Sequence, residues 1–174
     1  MRTLSEARKQ AREIASLFTN DCTGVPSVLV KALLGRGFVR LGQGSFKTAY
    51  GNGVIAVKVP VDGKGPGHMA LEYAAWKRAT PEQRYHLVEP LAFDKRGLMV
   101  QVQVVMRYSG GAPLTSKYDH CYCLDSSRIA KTFGFHDYPQ NHTHYGRKRR
   151  VVFFDYGLAG ALHGDREPTP EELA

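Results

Sequence analysis

The order of predicted helices and strands indicates an α+β fold built around an antiparallel sheet. Asn52-Gly53 lies between two apolar runs, which predicts a tight hairpin turn within the strand region 38–59. A second strand pair is predicted at 87–93 and 97–106. A segment rich in helix formers, 67–78, lies between the two strand pairs. The chain has 174 residues, of which 43% are hydrophobic and 23% charged, as expected for a single globular domain.

Two amphipathic segments precede the sheet. Residues 3–18 begin with a capping box formed by Thr3 and Glu6, and the predicted buried face carries Ala7, Ala11, Ile14 and Phe18. In the next segment Pro26 suits a first helical position and Gly35 a position just past the end. The inward residues predicted there are Val28, Leu29, Ala32 and Leu33. We expect both helices to brace the sheet.

A Gly-x-Gly turn is the most informative local feature. Gly42 and Gly44 let a backbone approach a polyphosphate without Cβ clashes and expose N–H donors to it. The next apolar run ends at Lys58, where flanking valines place the lysine stem on a strand, so its ammonium must find a partner. Glu72 follows in the helix-rich segment, where Met69, Tyr73 and Trp76 share one face. A glycine turn followed by a strand lysine favours a phosphate site over a plain hairpin.

Two later motifs carry further candidate functional residues. Residues 135–141 read Phe-His-Asp-Tyr-Pro-Gln-Asn, and residues 151–157 read Val-Val-Phe-Phe-Asp-Tyr-Gly. The second motif is an apolar strand that puts Asp155 at its terminus, where a carboxylate can face a bound metal.

The order of these motifs, from glycine turn through strand lysine, helix glutamate and His-Asp-x-x-x-Asn to Asp-x-Gly, resembles the protein-kinase-like superfamily. The similarity covers 38–158 and is closest to the small, divergent protein kinases of T7-like bacteriophages. It implies a two-lobe fold with an antiparallel-sheet N-lobe and a strongly truncated C-lobe, since 17 residues follow Gly157. The implied divisions of a single minimal domain are a helical extension at 1–36, an N-lobe at 37–106, and a hinge with a reduced C-lobe at 107–174.

The resemblance also implies roles for individual residues. Gly42 and Gly44 would cover the phosphates of ATP, and Lys58 would contact the α and β phosphates while Glu72 holds it. Asp137 would receive or orient the substrate hydroxyl, so the implied catalytic residues are Lys58 and Asp137. The implied Mg²⁺ ligands are Asn141 and Asp155, with ATP and Mg²⁺ as cofactors.

The chain departs from the kinase pattern at several positions. Lys47 replaces the third glycine of the loop, where it either reduces loop flexibility or serves the phosphates with its charge. His136 and Asp137 are adjacent, and Asn141 lies four positions after Asp137, where the kinase pattern has five. Either Asn141 or His142 is therefore a candidate for the metal position. These departures keep a pseudokinase open as the alternative to an active enzyme.

The formal net charge of +8 bears on the choice of partner. Four of the charges lie in Gly146-Arg-Lys-Arg-Arg150, which is either a solvated turn joining two strands or a patch for an acidic protein or nucleic acid. The expected partners are a nucleotide and a protein substrate or target, and a regulator of nucleic-acid machinery is a less favoured class. The sequence predicts no membrane span and no signal peptide, which favours the cytoplasm, that of a host cell if the protein is phage-encoded.

A zinc module is the alternative interpretation of a group of histidines and cysteines. These residues are His120, Cys121, Cys123, His136, His142 and His144. Cys-x-Cys and His-x-His are not the common zinc spacings, so buried cysteines and surface histidines are favoured instead.

Overall fold

A computed structural model of the chain describes residues 4–20, 26–61, 63–94, 96–103, 128–129, 131–132, 142–145, 150–153 and 169–173. Within these ranges the fold is mixed α+β, as the sequence predicts, with a five-stranded antiparallel sheet. The helices are α1 (Leu4–Asn20), α2 (Pro26–Gly35), α3 (Gly65–Arg78) and α4 (Pro81–Tyr85). The strands are β1 (Val39–Gln43), β2 (Lys47–Gly51), β3 (Ile55–Pro60), β4 (Pro90–Asp94), β5 (Leu98–Val102), β6 (His142–Tyr145) and β7 (Arg150–Phe153).

The sheet has the strand order β1-β2-β3-β5-β4, and α3 and α4 lie between β3 and β4 along the chain. The hairpin predicted at Asn52-Gly53 is present between β2 and β3, and Gly53 has the positive φ of 85° that such turns favour. The Asn52 side chain closes the turn, because its Oδ1 accepts hydrogen bonds from the backbone N–H groups of Val54 and Ile55. The second predicted strand pair is also present as β4 and β5, both shorter than expected.

One face of the sheet packs on α1 and α2. The predicted residues Ala7, Ala11 and Ile14 are buried there, as are Leu29 and Leu33 of α2. Val28 is 52% exposed, so the prediction that it points inward is wrong. Leu29 and Leu33 are one helical turn apart and share the contacting face, whereas Val28 is rotated about 100° from Leu29. The bracing role expected for the two helices is confirmed.

The glycine that ends α2 is Gly37 rather than Gly35. Gly37 has φ 79°, and its N–H donates to the Leu34 carbonyl at 3.0 Å. The N–H of Phe38 donates to the Leu33 carbonyl at 3.1 Å, and both of these side chains are buried in the same core cluster. This pair of bonds with an apolar contact is a Schellman motif, which requires the left-handed residue at Gly37.

The other face of the sheet packs on α3, which begins at Gly65, two residues before the predicted start. A Cβ at Gly65 would lie 2.5 Å from the Phe46 carbonyl oxygen, so the helix start needs glycine to approach β2 and β3. Pro66 follows in the first turn, where its missing N–H costs nothing. Gly97, at φ 92° in the β4–β5 turn, lies against Pro66 so closely that a Cβ would overlap it.

The far end of α3 is joined to the segment 169–173. Arg78 donates from Nε and Nη2 to the two carboxylate oxygens of Glu172, both at 2.5 Å, in a bidentate ion pair. The hydrogen bond that Arg78 donates to Glu172 raises the pKa of the Arg78 guanidinium above its ordinary value. Thr80 then begins α4 with a capping box, in which its side chain accepts from the Gln83 N–H and the Gln83 side chain accepts from the Thr80 N–H.

β6 and β7 form a separate antiparallel pair, with Tyr145 opposite Arg150 and His142 opposite Phe153. A solvated turn joining two strands was one of the two interpretations of the basic segment 146–150, and strands do flank 146–149, with Arg150 in β7. Residues 146–149 lie outside the described residues, and so do residues 104–127, which include the start of the expected hinge. Phe153 connects this pair to the rest of the fold through backbone hydrogen bonds with His86 and Val88.

Candidate functional site

Lys58 lies on the face of β3 that packs against α3. Its neighbours Val57 and Val59 point to the opposite face, because side chains alternate along a strand. Ala49 of β2 and Met99 of β5 are its direct cross-strand partners. The whole residue is only 3% exposed, so the ammonium needs partners inside the protein.

Glu72 of α3 supplies such a partner. Its side chain is fully buried, and Oε1 accepts a hydrogen bond from Lys58 Nζ in a salt bridge. The ion pair predicted between these two residues is therefore present. Strand alternation brings Lys58 to the α3 side, and the helical position of Glu72 turns the carboxylate toward the sheet, so the contact follows from the local geometry of both elements.

A second lysine binds the same carboxylate. Lys47 Nζ lies 2.7 Å from the Oε2 atom of Glu72, and the Lys47 side chain is 9% exposed. Lys47 is opposite Pro60 in the β2–β3 ladder, which makes it a diagonal neighbour of Lys58 on one face of the sheet. In the sequence Lys47 is visible only as a departure from the glycine pattern, and its contact with Glu72 was not predicted. We call Lys47, Glu72 and Lys58 the Lys-Glu-Lys cluster.

The glycine turn runs from Gly42, near the end of β1, to Gly44 in the β1–β2 connection, three positions before Lys47. Gly42 and Gly44 are exposed, and the Gly44 N–H donates to the Lys47 carbonyl at 2.9 Å. Neither glycine has a positive φ. Among the described residues, a Cβ would meet nothing within 4 Å at Gly42 and only the Lys47 carbonyl oxygen at 3.9 Å at Gly44. Neither backbone conformation nor internal crowding therefore requires glycine at these two positions.

Two small residues and a glutamine occupy the sheet face next to the Lys-Glu-Lys cluster. Gly51, Ala56 and Gln101 are aligned across β2, β3 and β5, with all three buried. The Gln101 side-chain oxygen has no hydrogen-bond partner within the described part of the chain. Gln103, the residue after the end of β5, accepts a hydrogen bond from the Gly53 N–H at 2.6 Å. Two amide side chains thus line the face that carries Lys58.

The remaining predicted site residues are Asp137, Asn141 and Asp155, and all three lie outside the described residues. The structure does describe chain neighbours of two of them. Asn141 precedes His142 of β6, and Asp155 follows Phe153 of β7 by two residues. The roles of Asp137, Asn141 and Asp155 stay predictions.

No group of three or more His, Cys, Asp or Glu side chains in the described ranges could hold a metal ion. Of the residues in the zinc alternative, His120, Cys121, Cys123 and His136 lie outside the described ranges, and only the backbones of His142 and His144 are described.

Comparison with known proteins adds no family assignment. A scan against protein-family models and a search of curated proteins returned no match to this chain. Among the described helices, none combines the length and the apolar character needed to cross a membrane.

Proposed function

We propose that this chain is an ATP-dependent phosphotransferase of the protein-kinase type, which transfers the terminal phosphate of ATP to a protein hydroxyl. The observation that carries the proposal is the buried ion pair between Lys58 and Glu72, next to a Gly-x-Gly hairpin. In the proposed fold the five-stranded sheet and α3 belong to the N-lobe, and β6 and β7 belong to the reduced C-lobe.

The energetics of the ion pair support a binding role. Removing two charges from water costs several kcal/mol per ion, and apolar residues of similar size are often as stable or more stable at such positions. Because stability alone does not favour charged residues there, a ligand that needs a positioned ammonium gives a reason for them. In the proposed enzyme Lys58 contacts the α and β phosphates, and Glu72 keeps the lysine in position.

The glycine turn supports the same function. Among the described residues, a Cβ would have open space at Gly42 and an ordinary van der Waals contact at Gly44, and neither glycine has a positive φ. An external group can therefore approach the backbone here, and a polyphosphate is such a group. The ATP phosphates would lie under this turn, beside the ammonium group of Lys58.

Asn141 and Asp155 would hold Mg²⁺ in the proposed enzyme. Amide and carboxylate oxygens are the ligand types that Mg²⁺ prefers, so the donor set fits the ion. β7 supports the proposal because Phe153, two residues before Asp155, is hydrogen-bonded on both backbone groups to His86 and Val88. When bound, Mg²⁺ would neutralise charge on the phosphate oxygens.

Asp137 would complete the reaction. Its carboxylate would orient the substrate hydroxyl and take its proton as the hydroxyl oxygen bonds to the terminal phosphorus. The bond from that phosphorus to the bridging oxygen breaks, and ADP leaves. The chain's own residues therefore position the phosphates and the nucleophile, which is most of what phosphoryl transfer requires.

Transfer of labelled γ-phosphate from ATP to protein acceptors, including the chain itself, tests the proposal. Wild-type protein with Mg²⁺ should transfer label, and Asp155→Asn and Asp137→Ala should not. Without nucleotide, both variants should unfold at the same temperature as wild type, because the proposal assigns Asp155 and Asp137 to contacts with ligand and not to packing of the core. If Asp155→Asn and Asp137→Ala transfer label as fast as wild type, the proposed roles are wrong.

A pseudokinase that acts as a binding or inhibitory protein is the second candidate. The observation that favours it is the contact of Lys47 with Glu72, because this lysine replaces a loop glycine of the active pattern. Thermal stabilisation by nucleotide, measured beside the transfer assay, separates the two functions, because a ligand specific to the folded state raises its stability. ATP-dependent stabilisation without label transfer would favour the pseudokinase.

A further inference from the structure

We propose that Lys47 is a second phosphate-binding residue, which together with Lys58 holds the polyphosphate of the bound nucleotide. This inference rests on the proposed function and adds a residue to its binding site. It predicts that the site distinguishes nucleoside triphosphates from nucleosides through two ammonium groups on adjacent strands, rather than through the β3 lysine alone.

The convergence of the two lysines is the first argument. Lys47 and Lys58 come from different strands, yet their Nζ atoms bind the two oxygens of one carboxylate. A phosphate group offers pairs of oxygens at a similar spacing, and ammonium groups bind such anions as point charges. A phosphate that reaches the Lys58 ammonium is therefore close enough for Lys47 to bind as well.

The connection of Lys47 to the glycine turn is the second argument. Lys47 is the first residue of β2, and its carbonyl accepts the Gly44 N–H that closes the turn. The exposed glycines and the buried ammonium thus belong to one hairpin, with open space above Gly42. A ligand covered by the turn would lie beside the start of β2, so the position of Lys47 suits its phosphates.

A purely structural role for Lys47 makes a different prediction. If Lys47 only holds Glu72, its loss affects ATP through the orientation of Lys58 and has no effect of its own on phosphates. If Lys47 binds phosphate, part of its effect persists when the Glu72 carboxylate is absent. A double-mutant cycle between Lys47 and Glu72 separates these two roles.

The experiment measures the affinities of the full chain for Mg²⁺-ATP, adenosine and inorganic tripolyphosphate by calorimetry or ligand-observed NMR. Lys47→Met should weaken ATP and tripolyphosphate binding by about tenfold, the effect expected for loss of one charged hydrogen bond. Adenosine affinity should stay unchanged because adenosine has no phosphate. Lys47→Arg, which keeps the charge, should retain more ATP affinity than Lys47→Met.

Two controls keep the result interpretable. Lys31→Met removes an exposed lysine from α2 and should leave all three affinities at wild-type values. The ratio of ATP to adenosine affinity is the main readout, because a partly unfolded variant loses both ligands together. In the Glu72→Gln background, addition of Lys47→Met should again lower the ratio.

The outcomes separate this inference from the function on which it rests. A Lys47→Met variant with the wild-type ratio would overturn the inference, and a lowered ratio in Lys58→Met would then leave the proposed function standing. Loss of the Lys47 effect in the Glu72→Gln background would show that Lys47 acts only through Glu72, and would also overturn the inference. Failure of the wild-type chain to bind ATP or tripolyphosphate would overturn both proposals.

Discussion

The two faces of the central sheet use the same strands for different purposes. Toward α1 and α2, β3 and β5 present a continuous apolar surface that includes Ile55, Val57 and Val100. Toward α3, alternate positions of these strands carry Lys58 and Gln101, with Glu72 above them. Both faces are buried, so the contrast lies in chemistry and not in exposure.

The two faces contribute differently to the stability of the fold. The apolar face stabilises the domain by burying hydrocarbon, at roughly 25 cal/mol per Å² of apolar surface. The α3 face buries three charged side chains, for which desolvation opposes the Coulombic gain. The same sheet thus has an apolar face that stabilises the fold and a face where charged groups are buried at some expense of stability.

The largest expected effect is on the polar face. Glu72→Ala should lower the free energy of unfolding by about 4 kcal/mol, because it removes the carboxylate between two buried ammonium groups. Glu13→Ala, at an exposed position of α1, is the matched control and should change stability little. Urea unfolding at neutral pH measures both. A loss of less than about 1 kcal/mol in Glu72→Ala would contradict the buried geometry.

On the apolar side, adjacent leucines of α2 give a direct comparison. Leu33 is fully buried and Leu34 is 51% exposed. Leu33→Ala should cost about 3 kcal/mol by loss of buried surface and creation of a cavity, whereas Leu34→Ala should cost a few tenths. Where Leu33→Ala remains folded, its ratio of ATP to adenosine affinity should equal that of wild type. A changed ratio would break the separation between the two faces.

Gln101 gives a further test of the difference between the two faces, because it is a polar residue on a buried strand. Gln101→Met should raise the free energy of unfolding by about 1 kcal/mol, since a buried oxygen without a hydrogen-bond partner in the described structure is removed. Chemical denaturation measures the change, with Gln103→Met as the control, because the Gln103 oxygen accepts from Gly53. Gln103→Met should lower stability, and the same sign in both variants would contradict this account.

The smallest effect is expected at an exposed carboxyl. The backbone N–H of Glu82 and then the Thr80 side chain lower the pKa of the Glu82 carboxyl below its ordinary value. A lowered pKa in the folded state gives stability that is present above the unfolded-state pKa and is lost as pH falls through the folded-state pKa. Thr80→Ala should move the Glu82 pKa back toward its ordinary value in an NMR titration. An unchanged titration would show that Thr80 does not act on this carboxyl.

Sequence patterns predicted the elements of this fold better than their ends. The hairpin at Asn52-Gly53 and the buried face of α1 follow from local signals that no distant contact overrides. The sequence prediction ended α2 before Gly35, although a second glycine, Gly37, lies two residues later. The structure shows that Gly37 is the glycine that ends the helix, because the Schellman hydrogen bonds involve Gly37 and Phe38. The start of α3 at Gly65 depends on close approach to Phe46 and Pro60, which a linear pattern does not contain.

The candidate site was predicted in part for the same reason. Lys58 and Glu72 were identified because a lysine in an apolar strand and a glutamate in the following helix are visible in sequence. Lys47 was missed as a partner of Glu72, since its diagonal relation to Lys58 depends on the β2–β3 register. Ala49 is the direct cross-strand partner of Lys58, and Lys47 lies two positions before Ala49 on the same face. Knowledge of this register would have identified Lys47 as a neighbour of Lys58.

The two attachments of α3 determine how the carboxylate of Glu72 can move. Pro66 lies against Gly97 at one end of the helix, and Arg78 is bound to Glu172 at the other. Glu72 is six residues from each, or about 9 Å along the axis in both directions. Swinging the helix about either end would break the contact at the opposite end. A rotation of α3 about its own axis would displace both contacts as well, so the two attachments hold the carboxylate in place beside the two lysines.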